Sequence, residues 1–117
     1  MIAHVILFEP RAGLARDQRD AVLAALVAAA RGAPTVRACR IGRRVKHGLP
    51  GYEQAMLRNF EFAAVIEFET VDGLRAYLQH PAHEAVGHCF STAAASALAY
   101  DYEMVGLDDA SHLPLDM

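Results

Sequence analysis

Apolar and polar positions alternate most clearly between residues 60 and 69, where Phe60, Phe62, Ala64, Ile66 and Phe68 interleave with Glu61, Ala63, Val65, Glu67 and Glu69. A two-residue period predicts a strand with one apolar and one mixed face. Ile2 to Glu9 is instead a nearly continuous run of branched and aromatic residues closed by Pro10 and Gly13, which predicts a strand buried on both faces. The polar residue inside that run is His4, which by parity shares a face with Ile2, Ile6 and Phe8.

The period changes between residues 16 and 31, where Val22, Leu23, Leu26 and Val27 recur at helical spacing in an alanine-rich stretch. Asp17 favours the N-terminal end of that helix, and Gly32 and Pro34 stop it. Thr35 to Lys46 predicts a strand with Gly42 as a bulge. His47 to Asn59, with Gly48, Pro50 and Gly51, predicts a loop long enough to cover a site, with Tyr52 and Met56 as the closing side chains. Thr70 offers an N-cap to a helix over 71–79; a second helix follows the His80-Pro81 step over 82–95, and a last strand spans 97–105. Residues 106–117 carry no period and read as a mobile tail beyond a domain of residues 1–105.

This order, βαββααβ, predicts an α+β, ferredoxin-like fold: a four-stranded antiparallel sheet with helices on one face. The other face is bare. Parity places Ile6, Phe8, Phe62 and Phe68 together, and assigning them to the bare face predicts a homodimer that pairs sheet with sheet.

Composition narrows the class. With 117 residues, 54% hydrophobic and 21% charged, the chain has the size and make-up of one folded domain. Its net charge of -3 supplies no positive field for phosphate backbones, so no nucleic acid is expected as a partner, and Arg43, Arg44, Lys46 and His47 read as a solvated strand edge. Cys39 and Cys89 are too far apart in sequence for a CxxC motif and suggest reduced thiols. The first residues lack a basic lead and turn polar too soon for a membrane span, so no membrane partner and a cytoplasmic location are expected.

Six histidines raise the question of metal. His83-Glu84 followed by His88 misses the HExxH spacing, because position 87 is Gly and His88 lies about 140° round the helix from His83. No metal and no cofactor are therefore expected.

Three segments together, HVILF at the start, VIEFETVDGLRAYLQHPAH in the middle and AYDYE near the end, resemble the stress-responsive A/B barrel family. The most specific is Tyr77-Leu78-Gln79-His80-Pro81-Ala82-His83, an aromatic residue followed by a His-Pro-x-His turn. The resemblance implies a dimeric α/β barrel of two facing sheets, with helices outside and a cavity in each half. A plant polyketide cyclase of this family works without a cofactor, and the resemblance places its catalytic histidine on His83, its tyrosine on Tyr77, the carboxylate partnering the histidine on Asp101, and a pocket histidine on His4. Two further pocket positions fall on Phe62 and Leu26, which makes the implied cavity more apolar than that enzyme's and points to a different substrate.

The chemistry of the set is coherent. Histidine is the side chain most readily poised near neutral pH to remove a proton beside a carbonyl, a carboxylate on its other nitrogen fixes the tautomer, and a tyrosine hydroxyl can donate to the developing oxyanion. The expectation is a small apolar ligand in a pocket formed by Ile6, Phe8, Phe62 and His80, with His83 as base, Asp101 orienting it, and Tyr77 and His4 polarising a carbonyl compound. The alternative is a non-catalytic ligand-binding or structural dimer in which the same residues hold the fold, His80 and His83 capping helix ends.

Overall fold

The computed structural model describes residues 1–113. Strand β1 (Ile2–Pro10) leads into helix α1 (Arg16–Gly32), then strands β2 (Ala38–Arg43) and β3 (Phe62–Phe68), helices α2 (Val71–Leu78) and α3 (Glu84–Ala93), and strand β4 (Ala94–Glu103). Short 3-10 turns occupy Glu53–Ala55, Pro81–His83 and Leu107–His112. The sheet order β2-β3-β1-β4, with all neighbours antiparallel, is the ferredoxin-like arrangement the sequence predicts.

The predicted elements form for local reasons that the structure makes visible. Thr70 Oγ1 accepts the Gly73 N–H at 3.0 Å and so caps α2. His80 Nδ1 accepts the Ala82 N–H at 3.1 Å, and Pro81, which has no N–H to leave unpaired, occupies the first position of the turn between α2 and α3. At the start of α1, the Ala15 N–H donates to Gln18 Oε1, since alanine offers no capping oxygen of its own.

Several expectations are corrected. Gly42 forms no bulge; the register shift lies in β1 at Glu9 and Pro10 against β4. The tail expectation covers residues 106–117, yet Leu107–His112 form a 3-10 helix, and residues 114–117 lie outside the described residues. The largest correction concerns the faces of the sheet. Ile6, Phe8 and Phe68 are buried under the helices, Phe68 completely, and Phe62 packs partly buried beside Phe8. They belong to the core rather than to the bare face.

The opposite parity forms the open face: Val5 and Leu7 on β1, Ala63, Val65 and Glu67 on β3, Arg40 and Gly42 on β2, and Leu98, Tyr100 and Tyr102 on β4. Both faces of the central strands carry apolar side chains, so alternation groups residues by face without saying which face the helices cover. On the central strands the layer under the helices is filled by Ile6, Phe8, Ile66 and Phe68, while Ala63 and Val65 of β3 face the other way.

Candidate functional site

His4 sits mid-strand in β1, directly opposite Asp101 on β4 and Ile66 on β3. Its ring points to the helix side and is only 4% exposed. His4 Nδ1 lies 2.5 Å from Asp101 Oδ1, where the ring N–H donates to the carboxylate; the Asp101 side chain is 40% exposed at the sheet edge. A carboxylate on Nδ1 fixes the ring and leaves Nε2 as the nitrogen free to meet a ligand. Asp101 therefore partners His4, not His83 as the resemblance implies, because strand pairing sets the two side chains side by side on the same face.

His83 closes the 3-10 turn before α3, and its ring stands edge-on to Tyr77 with centroids 5.1 Å apart. Tyr77, on α2, has no exposed surface and also meets His4 at 6.1 Å and Phe68 at 5.4 Å. The Tyr77 ring thus braces both imidazoles. Its hydroxyl is buried without a hydrogen-bond partner among the described residues, and desolvation, with a smaller contribution from Cys39, pushes its pKa up to about 12. Burial, and secondarily the neighbouring His4, lowers the His83 pKa below its ordinary 6.5, which keeps that imidazole neutral at pH 7.

Both histidines face one cavity of about 140 Å³, lined by His4, Ile6, Leu78, His83, Val86, Gly87, Phe90 and Ala99. Of the residues expected at a pocket, Ile6, His4 and His83 line it. Phe8 lies behind Phe90, ring centroids 5.6 Å apart, and Phe62 belongs to the same neighbouring cluster; neither lines the cavity. His80 is occupied as the turn cap and also stays outside it. Leu26 is a core residue. Val86 and Phe90, one helical turn apart on α3, complete the wall, and their four-residue spacing is the signal the sequence carries for them.

The 47–59 loop does not cover this cavity. Met56, Leu57 and Phe60 overhang the open sheet face above Leu7, Gly42 and Ala63, forming a separate groove of about 650 Å³. Tyr52 packs against His47, ring centroids 5.1 Å apart, and stays exposed. Of the basic run, Arg44 donates to Asn59 at 2.7 Å and His47 pairs with Glu53 at 3.4 Å. Among the described residues no group of three or more His, Cys, Asp or Glu side chains has metal-binding geometry, and no helix is long and apolar enough to cross a membrane.

The Stress Responsive A/B Barrel Domain (Dabb) model matches residues 2–104, the whole sheet and all three helices. The chain belongs to the Dabb family. Among solved structures, this Dabb chain is 27% identical to a dimeric ferredoxin-like protein of unknown function from Thermobifida fusca, with a TM-score of 0.69 over 88% of this chain and 90% of that one. A Dabb protein of Mesorhizobium loti is 18% identical, with a TM-score of 0.68 over 90% and 97% of the two chains. A hydroxynitrile lyase from Passiflora edulis, 15% identical, reaches a TM-score of 0.76 over 89% and 93%. These last two share the fold. Among curated proteins no match is found.

Proposed function

We propose that this Dabb protein is a homodimeric, cofactor-free acid/base catalyst acting on a compact, mostly apolar carbonyl compound. The observation that carries the reading is the convergence of two imidazoles of different character on one cavity: His83, kept neutral by burial, and His4, held by Asp101. In this reading His83 takes a proton from the carbon beside the carbonyl. His4, protonated on both ring nitrogens and ion-paired with Asp101 through Nδ1, donates from Nε2 to the carbonyl oxygen as negative charge gathers there. Tyr77 acts as a positioning residue between them, since its ring touches both imidazoles while it is absent from the cavity lining.

Size bounds the substrate. A cavity of about 140 Å³ holds roughly four or five water-sized volumes at ~30 Å³ each, too little for an extended polyketide chain. Ile6, Leu78, Val86, Phe90 and Ala99 offer no polar group, so the fit is to a short ketone or aldehyde, or to the carbonyl end of a larger molecule. The dimer follows from the open face, where Val5, Leu7, Val65 and Tyr100 form an uncovered apolar surface, and from the dimeric state of the Thermobifida fusca protein.

The test is exchange of the α-protons of cyclopentanone in D₂O, followed by proton NMR. The expected result is acceleration by the wild-type protein and its loss in His83→Ala, with dimer and circular dichroism unchanged. Acceleration that survives in His83→Ala removes His83 as the base. The apolar wall favours a second reading, a binding protein without turnover, which is supported if cyclopentanone binds and no exchange is accelerated.

A further inference from the structure

The cavity lining combines buried and exposed residues. His4, Ile6 and Val86 are buried, whereas Gly87 on α3 and Ala99 on β4 are exposed and Leu78 at the end of α2 is half-open at 38%. The exposed lining lies between a helix and an edge strand, where the sheet has no further strand to close it. Gly87 stands inside α3, where glycine is the weakest ordinary helix former, and its backbone needs no positive φ there. A Cβ built on Gly87 meets nothing within 4 Å, so close packing does not require the glycine either. What the missing side chain provides is an opening.

We infer that Gly87 and Ala99 frame a portal through which a compact, neutral, apolar carbonyl compound reaches His4 and His83, and that Gly87 sets the size of ligand admitted. The inference rests on the proposed ligand cavity but not on turnover. Two features independent of the small residues point to a ligand. His4 is more than nine-tenths buried, lines the cavity, and among the described residues has its ring hydrogen bond at Nδ1 alone, leaving Nε2 without a protein partner. The inner wall beyond the portal is Ile6, Val86 and Phe90, a surface that apolar atoms wet better than water does. Among the described residues no charged side chain joins Leu78, Gly87 and Ala99 at the portal, so entry favours an uncharged ligand.

The logic extends to substitution. Alanine at 87 adds one methyl in open space, leaves the passage wide, and improves helix propensity. Leucine adds a branched side chain at the mouth and narrows it. Leucine at Ala99 closes the same gap from the strand side, where β-sheet geometry tolerates the larger side chain at an edge.

The experiment is an NMR titration of the intact protein with cyclopentanone, reading the His4 and Phe90 resonances, beside thermal melts of each variant. Expected are saturable shifts in wild type, a raised Tm in Gly87→Ala, and association slowed by about ten-fold or more, read from the exchange broadening of the same resonances, in folded Gly87→Leu. Ala99→Leu gives the same slowing by a different wall and covers the case in which Gly87→Leu does not fold. An undiminished association rate in either folded leucine variant overturns the portal while leaving the cavity as a ligand site. Absence of saturable shifts in wild type overturns the portal as well. Binding that obeys the portal without any proton exchange upholds it and removes the catalytic reading instead.

Discussion

His4 and Asp101 face each other across the β1–β4 ladder as direct register partners, and their side chains meet at 2.5 Å on the helix side of the sheet. The hydrogen bond is therefore built into the strand pairing, and the ring orientation is as fixed as the sheet itself. Asp101→Asn keeps the shape but removes the negative charge that holds the proton on Nδ1. Hydrogen bonds to charged groups are worth about 1.5–3 kcal/mol, and solvent screening of the partly exposed carboxylate takes this one below that range. The expected outcome is a loss of about 1 kcal/mol in urea unfolding and a change in the His4 ring nitrogen shifts in ¹⁵N NMR. Unaltered His4 shifts would show that the carboxylate does not hold that proton.

His83 predicts a pH dependence with a definite sign. Its pKa in the folded protein lies below 6.5, so proton abstraction should hold a plateau at neutral pH and decline only as pH falls through the lowered value. Removing a general base costs about 10²–10⁴-fold in rate, the drop expected for His83→Ala in the exchange assay. Stability follows the same direction. On acidification the unfolded chain takes up this proton first, so the contribution is complete above 6.5 and is lost as pH falls toward the native value. A rate profile that declines toward alkaline pH instead would assign the base to another group.

Tyr77 carries the opposite dependence. Its folded pKa, about 12, lies above the ordinary 10, so the associated stability is fully present below pH 10 and is lost as pH rises toward 12. Tyr77→Phe removes a buried hydroxyl that has no partner and retains the ring between His4 and His83. Neutral to about 1 kcal/mol of stabilisation is expected near pH 7, with the alkaline loss reduced in a pH series of melts. Marked destabilisation at pH 7 would reveal a hydrogen bond that the hydroxyl makes with bound solvent or ligand.

The two sheet faces give a paired prediction. Phe68 is fully buried under the helices, and truncating such a residue costs about 3–5 kcal/mol, so Phe68→Ala should unfold much more readily. Val65→Glu, one face away on the same strand, should leave the melting of the protomer close to wild type and shift sedimentation toward monomer. A dimer that tolerates Val65→Glu would place the subunit contact elsewhere than the open face.

By itself the sequence determined the element order and its limits to within a few residues, because local signals dominate there: Thr70 caps α2, Pro81 opens the turn before α3, and alternation marks β3. It also grouped His4 with Ile6 and Phe8 on one face, since strand parity is a property of the chain alone. Only the tertiary structure decided which face the helices cover, because apolar residues occupy both and strand parity does not distinguish them. It alone paired Asp101 with His4, through a strand register spanning 97 residues of sequence. It alone gathered Val86, Gly87, Phe90 and Ala99 around His83, since packing a helix against an edge strand is a relation between distant segments that no local period encodes.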